Sequence, residues 1–354
     1  MKIKLFYILY GNNGATYILN TSSWKNIGTS LKFYRAYTLK GKIQKSVLTC
    51  FLFAVGTFFP RFFKSKDAIK IYLKENINPN VDFNLDENSS VLISPTRDKV
   101  IVNHHGQYFH KFAFGESFIK VQNESTIYKL LQNPKEFQVA SVMDLNIDEQ
   151  LSSCSFKLVN PPVNTNDQLE TIVDLSALLV EFFNSSPHKK TVKLSYYIEA
   201  LLKRFHSLNM EPINNLSSYL AKIQKEYHTE TMPLGLVHRD FKPWNTLLRD
   251  TVLIFDFEEA MTDGPPLEDL LNYYIDPVIR YQSTIQVYNM LYSKEKVTEY
   301  TSYLKLLKVT VTFEVLIMTY VLERIVFWTK AEEIETAMHY KNVLNHILLN
   351  SKQL

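Results

Sequence analysis

Apolar residues along the chain change from strand-like to helical spacing near the middle of the sequence. Ahead of Pro161 and Pro162, short runs rich in β-branched and aromatic residues alternate with turns, which is typical of β-strands. The two prolines interrupt regular pairing. Beyond them, apolar residues recur three and four positions apart, as on the buried face of a helix. These changes predict an N-terminal extension (1–85), a β-rich lobe (86–160) and a helical lobe (161–354).

The order of the apolar runs indicates the fold class. Strands are predicted at Val91–Ile93, Val100–Asn103, Gln107–Phe114, Val139–Leu145 and Ser155–Val159, with a helix at Asn123–Leu131. Helices are predicted at Ile172–Phe183, Ile198–Leu208 and Leu216–Tyr227, and short strands at Gly235–Val237 and Val252–Phe255. We therefore expect an α+β fold, in which a small β-rich N-lobe is followed by a larger helical C-lobe.

The N-terminal extension combines a predicted hairpin with an apolar run. Gly11–Gly14 (GNNG) joins two β-rich segments. The run Ser46–Pro60 is uncharged, but its fifteen residues are fewer than the roughly twenty that cross a bilayer as a helix. Basic residues surround it at Lys32, Arg35, Lys40, Lys42, Lys45, Arg61, Lys64 and Lys66. Two interpretations stay open: peripheral contact with an anionic membrane surface, or a core helix between solvated ends.

Composition and charge exclude several classes of protein. With 39 basic and 36 acidic residues, the formal net charge is +3, too balanced for a general nucleic-acid binder. Cys50 and Cys154 form no Cys-x-x-Cys motif, so neither a disulfide framework nor a zinc site is indicated. The segment Met1–Tyr10 lacks the pattern of an export signal. A cytoplasmic protein without a nucleic-acid partner is expected.

Two segments of the helical lobe place polar residues directly after short apolar strands. Leu236–Leu248 reads LVHRDFKPWNTLL, and Leu253–Ala260 reads LIFDFEEA. The rigid backbone of a strand can present Asp240, Asn245 and Asp256 in one site. Magnesium prefers oxygen ligands and is usually held by one or two carboxylates together with substrate phosphates. The spacing thus predicts a metal–phosphate site, with Asp240 available to deprotonate a hydroxyl.

The sequence HRDFKPWN followed by DFEEA resembles the catalytic and metal loops of the aminoglycoside phosphotransferase and choline kinase-like families, which are relatives of protein kinases. The resemblance implies a protein kinase-like bilobal fold that uses ATP and Mg²⁺. It also implies that Asp240 is the catalytic base, that Asn245 and Asp256 are magnesium ligands, and that His238 is structural. Lys242 is either a residue that stabilises the transferring phosphoryl group or an ordinary solvated lysine.

The resemblance further implies a lysine on a strand that binds the nucleotide phosphates and pairs with a glutamate on the next helix. Lys111 and Glu124 fit this arrangement, whereas Lys120 is only four residues before Glu124 and would share its helix. Without the downstream loops, Lys111 would be interpreted as an exposed strand residue. Lys111 and Glu124 are accordingly expected to bind the nucleotide.

Two features of the sequence differ from protein kinases, and one further segment resembles the family. The loop Ser94–Lys99 contains no glycine, and Glu258 stands where the protein-kinase metal motif has glycine. Glu258 either helps to hold metal or substrate, or is an ordinary exposed or capping carboxylate. In the segment Gly264–Leu270 (GPPLEDL), Asp269 is expected to brace the catalytic loop.

The sequence therefore predicts an ATP- and Mg²⁺-dependent phosphotransferase that acts on a hydroxyl of a small molecule. The resemblance suggests an aminoglycoside, an amino alcohol, a sugar or a glycolipid precursor as the acceptor. Two alternatives stay open, namely a pseudokinase or nucleotide-binding scaffold without turnover, and a protein kinase. The absence of an Ala-Pro-Glu activation segment argues against the protein kinase.

Overall fold

The computed structural model describes two compact units. The described residues are all except 1–5, 12–13, 32–38, 59–61, 105, 132–133, 161–174, 189, 209, 249–250 and 351–354. The first unit comprises Met1–Lys129 and Val139–Val163, and the second comprises Leu130–Gln138 and Asn164–Leu354.

The described part of the chain forms strands throughout its first half and mainly helices in its second half. The strands are β1 (Phe6–Tyr10), β2 (Thr16–Asn20), β3 (Ser89–Ile93), β4 (Lys99–His104), β5 (Tyr108–Phe114), β6 (Phe137–Val139), β7 (Ser141–Asp148), β8 (Ser153–Val159), β9 (Lys190–Lys193), β10 (Thr231–Val237), β11 (Thr246–Leu248), β12 (Val252–Ile254) and β13 (Met261–Gly264). The helices are α1 (Trp24–Ser30), α2 (Leu39–Phe58), α3 (Lys66–Asn76), α4 (Glu116–Leu130), α5 (Leu175–Asn184), α6 (Leu194–His206), α7 (Leu216–Glu226), α8 (Glu268–Ile275), α9 (Thr284–Leu291), α10 (Lys294–Leu306), α11 (Phe313–Lys330) and α12 (Ile334–Asn350).

The first unit is built on an antiparallel sheet with the strand order β1-β2-β3-β4-β5-β8-β7. The predicted hairpin is confirmed, since β1 pairs with β2, and Thr16 on β2 then pairs with Ile93 on β3. The extension thus adds two strands to the sheet of the β-rich lobe. Side chains of alternate residues, such as Val100 and Val102, are buried on one face.

The helix α3 covers part of this buried face. It begins after Ser65, whose hydroxyl accepts the backbone N–H of Ala68. Its apolar residues Ile69 and Leu73 are fully buried in a core that also contains Phe83 and Phe112 of the first unit. The rings of these two phenylalanines meet edge to face at 5.1 Å. Segments on both sides of α3 are thereby fixed to the sheet.

The second unit is mainly helical and contains two small sheets, β13-β10-β9 and β11-β12-β6. The helix α11 forms much of its core, because residues Val315–Val326 are all buried. A helix that is buried on all sides packs against neighbours around its whole circumference. The loops that follow β10 and β12 contain the polar residues singled out in the sequence.

The predicted α+β class is confirmed, with an antiparallel β-rich first unit and a helical second unit. The element bounds differ in places. Helix α4 starts at Glu116 rather than at the predicted Asn123. The prediction missed its first two turns, because the polar residues there obscure the apolar periodicity of a helix. The start of the predicted helix Ile172–Phe183 lies outside the described residues, and its described part is α5. In the described part of the chain, no helix has both the length and the apolarity to cross a membrane.

Candidate active site

Strand β10 carries the first functional loop at its C-terminal end. On this strand Gly235 pairs with Gly264 of β13. A Cβ atom at Gly235 would lie 2.6 Å from the carbonyl oxygen of Phe183, which ends the buried stretch of α5. Only glycine permits this close approach of helix and strand. The loop that follows, from His238 to Asn245, therefore begins from a tightly packed strand.

Asp269 braces the start of this loop. Its carboxylate accepts the backbone N–H groups of His238 and Arg239, at 2.7 and 2.9 Å. Arg239 has a φ of +63°, in the left-handed region that disfavours most residues, so these hydrogen bonds offset a strained backbone. Burial raises the pKa of Asp269 to about 7, while the two N–H donors favour its charged form. The bracing role predicted for Asp269 is confirmed.

His238 connects the first loop to the second. The Nε2 atom of its buried ring lies 3.0 Å from the carbonyl oxygen of Phe255. Because a carbonyl oxygen only accepts hydrogen bonds, Nε2 carries the proton in this contact. Burial lowers the pKa of His238, which favours the neutral form of the ring. The structural role predicted for His238 is confirmed.

Asp240 is held by two of the residues that the sequence placed in the loop. The side-chain nitrogen Nδ2 of Asn245 donates to the Oδ2 atom and to the backbone carbonyl oxygen of Asp240, both at 2.8 Å. The ammonium group of Lys242 pairs with the other carboxylate oxygen, Oδ1. Lys242 is not a solvated lysine, since only 10% of its side chain is exposed, whereas 27% of the Asp240 side chain is exposed. Asp240 is thus oriented from two sides and still open to solvent.

Asn245 and Asp256 come together because β11 pairs with β12. The register joins Thr246 to Ile254, and the N–H of Phe255 donates to the carbonyl oxygen of Asn245 at 3.2 Å. Asp256 is the next residue and has a φ of +71°, which turns the chain sharply out of the strand. The sequence had predicted that these polar side chains follow two short strands, and the structure brings their backbones side by side.

The atoms offered by these two residues suit magnesium. The Nδ2 atom of Asn245 is engaged with Asp240, so its side-chain oxygen is the atom that remains as a ligand. Asp256 adds a carboxylate. An amide oxygen and a carboxylate oxygen match the preference of Mg²⁺ for oxygen ligands, with waters and phosphates completing the shell. The donor set therefore fits the expected ion, and the ligand roles themselves stay predictions.

A buried network beneath the loop was missed at the level of the sequence. Arg324 is 0% exposed on α11, and its guanidinium donates to the carbonyl oxygen of Arg239 at 3.0 Å and to the Oδ2 atom of Asp276 at 2.6 Å. The same carboxylate lies 3.3 Å from the ammonium group of Lys242 and accepts the hydroxyl of Tyr340. The available signal was a single arginine inside a long apolar helical run, which is rarely buried without a partner.

A second ion pair, in which only the carboxylate is buried, joins α6 to α11. Glu323 accepts from Arg204 at 3.1 Å and from the hydroxyl of Tyr197 at 2.9 Å. The carboxylate of Glu323 is thus occupied within the protein, and only 8% of its side chain is exposed.

Lys111 and Glu124 meet inside the first unit. The Nζ atom of Lys111 on β5 lies 2.7 Å from each carboxylate oxygen of Glu124 on α4. Glu124 is 0% exposed and Lys111 is 6% exposed, so Lys111 is not the exposed strand residue of the alternative interpretation. The expected pairing of strand lysine and helix glutamate is present. Its role in binding a nucleotide stays a prediction.

The family comparison concerns the segment that contains both loops. Residues 166–288 match the phosphotransferase enzyme family APH. The matched residues include Asp240, Asn245 and Asp256. The family resemblance expected from the two loops is confirmed, and so is the expected class of enzyme, a phosphotransferase.

Similar solved structures carry aminoglycoside phosphotransferase and choline kinase names. Aminoglycoside 2'-phosphotransferase-IIIa in its GDP complex is 13% identical, with a TM-score of 0.45 and coverage of 81% of this chain and 99% of its own. A thermostable mutant of aminoglycoside phosphotransferase APH(4)-Ia with AMP-PNP and hygromycin B is 13% identical, with a TM-score of 0.46 and coverage of 80% and 98%. Choline kinase LicA from Streptococcus pneumoniae is 14% identical, with a TM-score of 0.45 and coverage of 79% and 99%. Among curated proteins, no sequence matches the chain.

Proposed function

We propose that this protein is an ATP- and Mg²⁺-dependent phosphotransferase that phosphorylates a hydroxyl group of a small molecule. The observation that carries the proposal is the arrangement around Asp240, whose carboxylate is fixed by Asn245 and Lys242 and remains partly exposed. A base held in one orientation but open to solvent suits proton abstraction from an incoming hydroxyl. The match of residues 166–288 to a phosphotransferase family supports the same reaction.

The reaction assigns a specific task to each loop residue. The acceptor oxygen attacks the γ-phosphorus of ATP, the bond from phosphorus to the β–γ bridging oxygen breaks, and ADP leaves. Asp240 orients the acceptor hydroxyl and takes its proton. Lys242, which sits between Asp240 and Asp276, places positive charge beside the attacking oxygen and the transferring group.

The cofactors are assigned to two sets of residues. Asn245 and Asp256 would hold Mg²⁺, which neutralises charge on the phosphates when bound. Lys111, oriented by Glu124, would bind phosphate oxygens of ATP. A buried ion pair gives little net stability by itself, because desolvation of both charges opposes their attraction. The burial of this pair is therefore consistent with a role in binding.

The acceptor is proposed from the class of enzyme. Aminoglycosides, amino alcohols, sugars and glycolipid precursors all carry the hydroxyl that the reaction needs. We favour a sugar or glycolipid precursor, because the N-terminal extension is basic and apolar and suits a cytoplasmic enzyme at an inner membrane face. A freely soluble sugar phosphorylated equally well without the extension and without lipids would count against this choice.

An acceptor screen tests the proposed function. Purified protein is incubated with ATP, Mg²⁺ and each compound of a panel of aminoglycosides, amino alcohols, sugars and glycolipid precursors. We expect Mg²⁺-dependent ADP release with one compound class, and a mass increase of one phosphate on that compound. Transfer of the phosphate to protein instead of a small molecule would indicate a protein kinase. ATP binding without turnover on any compound would indicate a nucleotide-binding scaffold.

A further inference from the structure

Charge is distributed very unevenly along the chain. Eleven of the 39 basic residues and none of the 36 acidic residues lie in residues 1–66, so the remaining 288 residues carry a net charge of −8. The first acidic residue is Asp67. A segment with a net charge of +11 attached to a negatively charged remainder indicates an anionic partner for that segment.

The same segment contains a helix whose outer face is apolar. Five residues of α2 form this face, which we term the α2 stripe: Ile43, Val47, Phe51, Ala54 and Phe58. Their spacing places them within about one quarter of the helix circumference. All five are exposed, with 56% of Ile43, 63% of Val47 and 74% of Phe58 accessible.

The opposite face of α2 attaches the helix to the first unit. Leu52 is buried and Leu48 partly buried in a small core with Leu19, Ile27 and Leu31. The α2 stripe is therefore turned away from this core. Beside it, the exposed ring of Trp24 on α1 meets the exposed ring of Phe53 edge to face at 5.2 Å. Tryptophan and phenylalanine are side chains that insert at the boundary between lipid head groups and acyl chains.

We propose that the α2 stripe docks on the surface of an anionic phospholipid bilayer, with α2 lying in the plane of the interface. The stripe would bury its apolar side chains among the head groups and upper acyl chains. The net positive charge of segment 1–66 would attract the protein to the negatively charged lipid surface. The described helices include none that could cross a membrane, which leaves the interfacial orientation for α2.

Charge complementarity favours a bilayer over a second copy of this chain. Two α2 stripes packed together would bring two segments of +11 into proximity, and like charges oppose such a dimer. An anionic bilayer supplies both an apolar layer and the opposite charge. The α2 stripe belongs to the first unit and the two catalytic loops to the second, so docking does not depend on the proposed reaction.

Vesicle co-sedimentation tests this proposal without using catalysis. The full chain is sedimented with phosphatidylcholine vesicles that contain or lack phosphatidylserine, at low and high salt. The stripe variant combines I43S, V47S and F51S, and the charge variant combines K25Q, K45Q and K64Q. A matched control combines I285S, L306S and I334S, three apolar residues of the second unit that are exposed to a similar degree (58%, 56% and 52%).

We expect the wild-type chain and the control to bind vesicles containing phosphatidylserine, and more weakly at high salt. The stripe variant should lose binding by about tenfold or more, because it removes apolar groups that enter the interface. The charge variant, whose segment 1–66 keeps a net charge of +8, should show a weaker preference for anionic vesicles than the wild-type chain. Far-ultraviolet circular dichroism and the unfolding midpoint establish that each variant is folded.

Three results would overturn the proposal. The first is absence of binding by the folded wild-type chain to either vesicle. The second is equal binding by the stripe variant and the wild-type chain. The third is a wild-type dimer, seen by sedimentation velocity without vesicles, that the stripe variant abolishes, since this would make a second copy the partner. None of these results depends on whether the protein transfers phosphate.

Discussion

Asp269 is the residue on which the geometry of the catalytic loop depends most directly. An asparagine at this position has one acceptor oxygen, and its amide group would face one of the two backbone N–H donors. We expect Asp269→Asn to lower the free energy of unfolding by about 2 kcal/mol or more, because it leaves a buried donor unsatisfied. Urea denaturation at neutral pH measures this change.

Asp263→Asn provides the control for this substitution. Asp263 pairs with Lys190, but both side chains are largely exposed, so the pair contributes little. We expect the unfolding midpoint of the control to match that of the wild-type protein. An Asp269→Asn protein as stable as the control would contradict the bracing role.

His110 gives a prediction about acid stability. The residue is 4% exposed, and neither ring nitrogen has a hydrogen-bond partner in the described part of the chain. Burial lowers its pKa to about 4, with further lowering by the nearby charges of His104 and Lys157. Between pH 6.5 and about 4 the unfolded chain therefore binds more protons at this residue than the folded chain. The contribution of the neutral His110 ring to the free energy of unfolding is fully present above pH 6.5 and is lost as the pH falls from 6.5 to about 4.

His110→Phe keeps the ring contact with Phe112, whose centroid lies 4.0 Å away, and removes the unsatisfied nitrogens. We expect a gain of about 1 kcal/mol at pH 7 and a smaller loss of stability on going to pH 5. His238, whose pKa is also lowered by burial, preserves part of the acid sensitivity. Urea denaturation at both pH values measures the effect, and His188→Phe at an exposed position is the control. An unchanged pH dependence would show that His110 is solvated.

At the scale of elements, the close contact between α5 and β10 sets the position of the catalytic loop. Gly235→Ala would force the added methyl group against the backbone of Phe183. We expect a loss of about 2 kcal/mol in the free energy of unfolding, as for other overpacked cores. Gly28→Ala is the matched control. Apart from the backbone of α1 itself, the described residues place no atom within 4 Å of its Cβ position, and α1 should gain from the better helix former. Equal stability of the two variants would contradict the packing argument.

A comparison of the elements with the prediction shows which strands could be predicted from the sequence alone. Strands β3, β4, β5 and β8 were predicted because each has a run of β-branched and aromatic residues. Strands β9 and β13 (KTVK and MTDG) were missed, because each has only four residues and is defined by its pairing with β10. Their formation is a tertiary effect that no local window contains.

The candidate site likewise contains residues that could be predicted from local sequence and residues that could not. Asp240, Asn245 and Asp256 were found because motif spacing after a strand is local information. The positions of Asp276 and Arg324 were not found, because their ion pair joins residues 48 positions apart in the sequence. The pairing of Lys111 with Glu124 was expected only through the family resemblance.

At the scale of the whole molecule, the chain divides its tasks between its two units. The first unit contains the Lys111–Glu124 pair and the α2 stripe, and the second contains both loops that carry the proposed chemistry. Because the match to the phosphotransferase family covers residues 166–288, the family supports the chemistry of the second unit. The extension adds two strands to the sheet of the first unit. The docking of α2 on a membrane is a separate proposal with a separate test.

The central claim is that Asp240 is the base of a phosphoryl transfer. Its most direct test compares the wild-type protein, Asp240→Asn and the control Asp263→Asn by turnover with the best acceptor and by ATP affinity from titration calorimetry. We expect Asp240→Asn to lose turnover by about 100-fold or more and to bind ATP as the wild-type protein does, with the control unchanged in both. An Asp240→Asn protein that retains turnover would contradict the account.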